Sequence, residues 1–124
     1  MRLLLDTNAF LWWRDASPRL SARATDAIGD PDNHIVVSIV SLWEITIKRA
    51  FGSLQFLQDF EHVMAEEDFH LLPVGYSHLR SLGGLPLHHG DPFDRMIVAQ
   101  GQLEDMPIVT GDPLIGLYDV ETIW

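Results

Sequence analysis

The chain begins MRLLLDTNAF (residues 1–10), and this stretch decides the fold that the rest of the sequence predicts. The leucines Leu3 to Leu5 form an apolar run that stops at a carboxylate, Asp6. An uninterrupted apolar run is typical of a strand that is buried on both faces, as in a parallel sheet covered by helices. Functional sites in such sheets form beyond the carboxyl ends of the strands, so Asp6 is the first candidate site residue.

The remainder of the chain alternates short apolar segments with helical ones. We predict strands at residues 2–6, 35–39, 71–74, 107–110 and 120–124. We predict helices at residues 7–14, 21–28, 41–52, 56–67, 77–82 and 91–103. Such alternation predicts a parallel sheet with helices on both faces. The expected fold is α/β, a single three-layer α/β/α domain over residues 1–124 with a mostly parallel sheet of four to five strands.

The composition limits the kinds of site that the chain can hold. No cysteine is present, which excludes disulfides, thiolate metal sites and cysteine nucleophiles. Eight Lys and Arg against eighteen Asp and Glu give a formal net charge of −10. Proteins that bind nucleic acid through charge alone are usually basic. A nucleic-acid substrate would therefore need a cation held by carboxylates, or a basic partner protein.

The length and hydropathy of the chain indicate where it works. Its 124 residues are the length of one domain, and no segment is long and apolar enough to span a bilayer. The early carboxylate at Asp6 does not fit a signal peptide. We therefore expect a soluble, cytoplasmic protein without membrane contact.

Four acidic side chains lie where a site of this sheet would form. Asp6 ends the first predicted strand, and Asp112 follows the fourth. Glu44 and Asp94 fall in the first turns of predicted helices, in the segments SLWE and DPFD. Clustered carboxylates repel one another unless a cation neutralises them, and Mg²⁺ or Mn²⁺ suits such a set of oxygen ligands. An ion of this kind can activate water and stabilise the leaving oxygen of a phosphodiester.

Each acid also has a structural interpretation. Ser41 and Glu44 have the spacing of a capping box. Asp91 and Asp94 fit a helix cap followed by an acid in the first turn. Asp112 precedes a proline and fits a turn, and the acid that ends the first strand could cap the next helix. The four acids together indicate metal chemistry more strongly than any one of them.

The segments LLLDTNAFLW, SLWEITIK, DPFDRMIVAQ and IVTGDPLIGLYDVETIW together resemble PIN-domain proteins of the VapC toxin type. The resemblance runs in order along essentially the whole chain, and four motifs in this order are specific where one would not be. It implies an Mg²⁺- or Mn²⁺-dependent ribonuclease that cleaves RNA. It also implies a homodimer that is inhibited by a cognate antitoxin protein of a type II toxin–antitoxin system.

The resemblance also assigns roles to individual positions. It implies that Asp6 is a direct metal ligand and that Glu44 reaches the metal directly or through water. Asp94 matches the third acid of the family, and Asp112 matches the fourth, which often binds a second ion or acts through water. The supporting positions are Thr110, which bonds within the acidic cluster, Asn8, beside the first acid, and Asp91, which caps the helix.

Several residues outside these motifs are candidates for further contacts. Arg95, Lys48 and Arg14 could bind phosphate, although an ion pair or a solvated position is the simpler interpretation of each. His88 and His89 are interpreted as a loop pair, because adjacent histidines point apart and no third ligand for a transition metal accompanies them.

The segment FLWW (residues 10–13) forms a large apolar cluster on a short predicted helix. All four side chains cannot easily face inward there. Because Trp is enriched at interfaces, we expect part of the cluster to contact a second copy or the antitoxin.

Two alternative functions remain open. A nuclease directed at DNA could use the same four acids, because metal chemistry on a phosphodiester does not itself select ribose. A PIN-fold interaction module could keep the fold without catalysis, although loss of one or more acids would be expected in that case.

Overall fold

The computed structural model describes residues 1–56 and 58–124 and contains the predicted parallel sheet. Its strands are β1 (Arg2–Leu5), β2 (His34–Ser38), β3 (His70–Leu72), β4 (Ile108–Val109) and β5 (Thr122–Ile123). They lie in the order β3-β2-β1-β4-β5, and every neighbouring pair is parallel. The prediction of an α/β fold with a parallel sheet is confirmed.

Helices flank the sheet on both faces. In the described part of the chain they are α1 (Thr7–Arg14), α2 (Ala22–Gly29), α3 (Ile39–Ala50), α4 (Phe60–Glu67), α5 (Tyr76–Gly83) and α6 (Pro92–Leu103). A short 3₁₀ helix covers Ile115–Leu117. Among these described helices, none has both the length and the apolar composition needed to cross a membrane.

The central strand β1 shows why the sheet needs helices on both faces. Leu3 and Leu5 belong to one buried cluster, together with Phe10 of α1. Leu4 belongs to a second cluster, together with Ile97 of α6. Successive side chains of a strand point to opposite faces, so the leucine run supplies two cores at once.

Helix α3 begins earlier than predicted. The Ser38 hydroxyl caps it by accepting the backbone N–H of Val40 at 3.1 Å, so the helix starts at Ile39 and not at Ser41. Ile39 was predicted as strand because β-branched residues favour strands. The cap and the burial of the following turn outweigh this local preference. Strand β2 therefore passes into α3 without an intervening loop residue.

The segment before β3 also differs from the prediction. Helix α4 starts at Phe60 after the cap Asp59, whereas the helix was predicted from Phe56. Phe56 is instead a core residue whose ring lies 5.1 Å from the Phe60 ring, while residue 57 lies outside the described residues. The predicted strand at 71–74 is shifted to β3, which ends before Pro73, a residue that cannot donate to the sheet.

The apolar cluster at residues 10–13 packs in part within the chain, while Leu11, Trp12 and Trp13 stay half-buried, so the predicted partner contact of this cluster remains a prediction. Phe10 is fully buried, and the Trp12 ring lies 5.8 Å from the Trp124 ring. Trp13 donates its Nε1–H to a Glu67 carboxylate oxygen at 2.7 Å. These partners are far away in sequence, so a short helix can bury more aromatic surface than its own pattern indicates.

A further exposed apolar surface surrounds Trp43, which is 60% exposed. We call it the Trp43 face and define it by Ile39, Trp43, Val74 and Leu79, all exposed. An apolar groove of about 460 Å³ runs along it, and Phe93 stands at its side with its ring 5.1 Å from the Trp43 ring. The Trp43 face is therefore a candidate contact surface.

Candidate metal centre

The predicted acids meet in one pocket of about 580 Å³ at the carboxyl ends of the strands. Asp6 follows β1 directly, and Asp112 follows β4 after two intervening residues. Helices α3 and α6 bring the other acids to the same place. The lining includes Asp6, Thr7, Asn8, Trp12, Arg19, Glu44, Lys48, Asp91, Asp94, Gly111, Asp112, Pro113 and Trp124.

Asp6 is both a helix cap and a member of the pocket. Its Oδ1 accepts the Ala9 backbone N–H at 2.7 Å, and its Oδ2 accepts the Thr110 hydroxyl at 2.6 Å. Burial raises the pKa of Asp6 to about 6, although these two hydrogen bonds oppose the shift. The structural and functional interpretations of this acid are therefore compatible.

Glu44 lies in the second turn of α3, so the predicted capping box with Ser41 is wrong. Its Oε1 accepts the Thr7 hydroxyl at 2.6 Å, and its Oε2 pairs with Lys48 Nζ at 2.8 Å. The Thr7 oxygen also lies 3.0 Å from the Ser41 hydroxyl oxygen. Ser41 and Thr7 therefore help to orient the Glu44 carboxylate, while the cap is Ser38.

Asp91 and Asp94 have different tasks on the same helix. Asp91 caps α6, because its Oδ1 accepts the backbone N–H groups of Phe93 at 2.8 Å and Asp94 at 3.0 Å. Asp94 lines the pocket, where burial raises its pKa to about 7, with further contributions from the charges of Asp91 and Glu44. The nearby His89 lowers the pKa of Asp94 but does not offset this rise.

Asp112 and Thr110 complete the acidic cluster. The Asp112 Oδ1 accepts the Leu114 backbone N–H at 2.9 Å, as the turn interpretation predicts. Thr110 accepts the Asp112 backbone N–H at 3.0 Å while its hydroxyl donates to Asp6. One threonine thus connects the first acid with the fourth. Asn8 is exposed at the same pocket.

His89 reaches this cluster, although its sequence context predicted only a loop pair. Its Nε2 lies 2.8 Å from Asp112 Oδ2 and 3.1 Å from Asp94 Oδ2. Its Nδ1 accepts the Asp91 backbone N–H at 3.1 Å, so the ring proton is on Nε2. A protonated Nε2 donates to carboxylates and offers no lone pair to a metal. His88 turns away and packs against Tyr118, at 5.0 Å between rings.

The predicted phosphate contacts are only partly in the pocket. Lys48 lines it beside Glu44, whereas Arg14 pairs with Glu67 on α4. Arg95 donates to the Pro86 carbonyl at 2.8 Å and to the Tyr118 hydroxyl at 3.1 Å, so it holds the loop that carries His89.

Arg19 lines the pocket and was not singled out from the sequence. It follows Pro18 between two helices, where no periodic pattern indicates its direction. Only the folded path of this connection brings it beside the acids. Arg19 and Lys48 are the cationic side chains in the lining of the pocket, against five carboxylates.

The donor set fits a hard divalent cation. Asp6, Glu44, Asp94 and Asp112 supply oxygen ligands of the kind that Mg²⁺ and Mn²⁺ prefer. Burial, followed by repulsion from neighbouring acids, raises the pKa values of Asp6 and Asp94, and a bound cation would oppose both effects. These four residues could hold such an ion, with Thr110, Thr7 and His89 orienting them.

Comparison with known structures finds the same fold in proteins of toxin–antitoxin complexes. VapBC2 from Rickettsia felis, solved with a DNA fragment from its promoter, is similar with a TM-score of 0.67 at 15% identity, over 100% of both chains. FitAcB from Neisseria gonorrhoeae gives 0.64 at 17% identity, over 97% of this chain and 95% of that one. VapBC-1 from nontypeable Haemophilus influenzae gives 0.61 at 19%, over 98% and 96%.

The sequence itself identifies the family. No curated protein matches the chain at a significant level. The PIN domain model, however, matches residues 3–120, which include all four acids of the pocket. The chain therefore belongs to the PIN domain family.

Proposed function

We propose that the protein is a metal-dependent endoribonuclease that acts as the toxin of a toxin–antitoxin pair. The observation that carries this proposal is the convergence of Asp6, Glu44, Asp94 and Asp112 in one pocket. These acids come from four separate segments, and two of them have pKa values raised toward neutrality. Structural capping alone does not need such a cluster.

In the proposed reaction the carboxylates hold Mg²⁺ or Mn²⁺, which supplies an activated water and neutralises charge on the scissile phosphate. Asp6 and Asp94 are the proposed direct ligands. Glu44 is held by Thr7 and Lys48 and acts directly or through water. Asp112 is oriented by His89 and acts at a second ion or through water.

The charge of the chain supports the proposed partners. A protein with a net charge of −10 binds a basic antitoxin more easily than another acidic protein. The similar structures named above are complexes of the VapBC and FitAB type. We therefore propose an antitoxin that covers the acidic pocket with basic side chains.

The proposal also includes a homodimer formed through the Trp43 face. Two copies of an acidic chain repel each other unless they meet where charge is absent. The groove along this face is lined by apolar side chains of α3, α5 and α6. A second copy is therefore a better occupant than a strongly charged partner.

The direct test is cleavage of a mixed pool of single-stranded and folded RNAs by the protein freed of any partner. Mn²⁺, Mg²⁺ and EDTA are compared, with Asp6→Asn and Asp94→Asn as pocket variants. We expect cleavage only with metal and a loss of at least about a hundred-fold in each variant, because removal of groups that merely orient ligands already costs 10–100-fold. Asp26→Asn, an exposed position on α2, is the matched control and keeps activity.

Parallel arms separate the alternatives. Metal-dependent cleavage of single-stranded DNA but not of RNA would show that the substrate is DNA and not the proposed RNA. Calorimetry with Mn²⁺ on the same samples tests the site without a substrate. Absence of Mn²⁺ binding in the wild-type protein, together with absence of cleavage, would favour the interaction module.

A further inference from the structure

One wall of the acidic pocket is aromatic, and metal binding by the four acids does not require such a wall. Trp12 and Trp124 both line the pocket, and each is half-buried. Their buried parts pack against the core cluster of β1 and α1, and their rings meet at 5.8 Å with an angle of 55°. Core packing accounts for the buried parts, but not for an indole surface left beside a cluster of carboxylates.

Both indoles are fixed to the segments that carry the acids. Trp12 lies on α1, whose cap is Asp6. Trp124 lies against Gly111, the residue before Asp112, so closely that a Cβ at Gly111 would be 2.5 Å from the Trp124 ring. The absence of a side chain at Gly111 therefore sets the distance between the aromatic wall and the fourth acid.

The third component is Arg19, which is exposed at the same pocket. Its side chain takes part in none of the ion pairs found among residues 1–56 and 58–124. An unpaired guanidinium and a π-face are the two groups that proteins use to bind single-stranded nucleic acid. Stacking needs no positive charge, so it operates in a pocket that repels phosphate.

We propose that Trp12 and Trp124 form a binding site for an unpaired nucleobase beside the acidic pocket, with Arg19 contacting a phosphate of the same strand. The proposal rests on the proposed nuclease function, and it specifies the substrate as a single-stranded segment. Bases in a duplex are stacked and paired, and must be splayed out before they reach an aromatic side chain. The two inclined rings form a corner in which a base stacks on one indole and meets the edge of the other.

The test measures binding and cleavage separately. Fluorescein-labelled RNA hexamers A6 and U6 are titrated in Ca²⁺ by anisotropy, and a gel checks that they stay intact. We expect Trp12→Ala and Trp124→Ala to weaken binding about ten-fold or more, as is typical for loss of one stacking platform. Trp12→Phe keeps a π-face and should restore most of the affinity. Phe51→Ala removes an exposed aromatic ring outside both the pocket and the Trp43 face and serves as the control.

A modified RNA tests the same contact without changing the protein. Hexamers with one abasic position are compared on wild-type protein and on Trp12→Ala. On wild-type protein we expect removal of the base at one position to weaken binding. On Trp12→Ala the same removal should have little effect on affinity, because the base and the indole interact. The Mn²⁺ affinity of each variant is measured in parallel and should stay near the wild-type value. The melting temperature should fall, because each indole packs on the core, and it is measured to verify that each variant is folded at the assay temperature.

Three results would overturn the proposal. The first is equal affinity for RNA with and without the two indoles, which would leave the wall to a protein partner. The second is equal binding of a blunt duplex, and the third is an abasic scan without any sensitive position. Stacking-dependent binding without cleavage would instead reject the nuclease function and retain the base site. Cleavage that does not depend on either indole would retain the nuclease function and reject the base site.

Discussion

Helix α3 presents two unlike surfaces on neighbouring residues. Glu44 is buried in the pocket and is bonded to Thr7 and Lys48, whereas Trp43 is largely exposed on an apolar groove. Successive side chains of a helix point about 100° apart, so one helix can contribute to both the acidic pocket and the Trp43 face. The pocket side has two cationic side chains against five carboxylates, and on the other side Trp43 stays 60% exposed beside Phe93. In the proposed function a cation binds on the first side and a second copy of the chain on the other, so the two surfaces can be tested separately.

The largest effect is expected from Trp43→Asp. A charge in the centre of the proposed dimer contact should raise the dissociation constant of the homodimer by about a hundred-fold or more, because central aromatic residues dominate such contacts. Light scattering after size-exclusion chromatography measures the dimer. Mn²⁺ binding should be unchanged, and Trp43→Phe should remain dimeric. A stable dimer of Trp43→Asp would move the contact to another surface.

A ten- to hundred-fold effect on the pocket side is expected from Thr110→Val. The change removes the hydroxyl that orients Asp6 and that opposes the rise of its pKa. Loss of such an orienting bond typically weakens metal binding by 10–100-fold. Calorimetry with Mn²⁺ measures it, and Thr25→Val, whose exposed hydroxyl bonds only a helix carbonyl, is the control. Equal Mn²⁺ affinity in both variants would contradict this role for Thr110.

The smallest of these effects is the dependence of stability on pH without metal. The pKa of Asp94 is about 7 in the folded protein against 3.8 as a free side chain, so between about pH 4 and pH 7 the unfolded chain releases a proton that the folded chain keeps. Stability therefore falls as pH rises through this window, and Asp6 adds to the fall up to about pH 6.

In EDTA we expect the melting temperature to be at least about 4 °C lower at pH 8 than at pH 5, or roughly 1 kcal/mol for a domain of this size. Asp94→Asn should reduce this difference, and Mn²⁺ should restore stability at pH 8 but have less effect at pH 5, where protons compete. Trp43→Phe should keep the pH dependence. A melting temperature that rises with pH in EDTA would contradict the uncompensated charge of the pocket.

The sequence was sufficient for the sheet and for the four acids because these features are local. A leucine run that ends at Asp6, or a proline directly after Asp91, indicates its own structure. The parallel order of strands then places their carboxyl ends together. The start of α3 was less predictable, since Ser38 and Ser41 are equally good caps in sequence.

The residues that were missed depend on contacts between distant segments. His89 reaches Asp112 because Arg95 holds its loop through the Pro86 carbonyl and the Tyr118 hydroxyl. The tryptophans of α1 are covered by partners as far away as Trp124. No periodicity in the sequence encodes such pairings, so the pattern at residues 10–13 could not show which part of the cluster is covered within the chain.

The direct passage from β2 into α3 limits how this chain can change. A single residue inserted between Ser38 and Trp43 would rotate the rest of the helix by about 100°. Glu44 would leave the pocket and Trp43 would leave the groove in the same step. The number of residues at the junction therefore fixes the direction of both side chains, so the junction accepts substitutions but not a change in length. Insertions and deletions are expected in the connections that carry neither surface, such as residues 30–33.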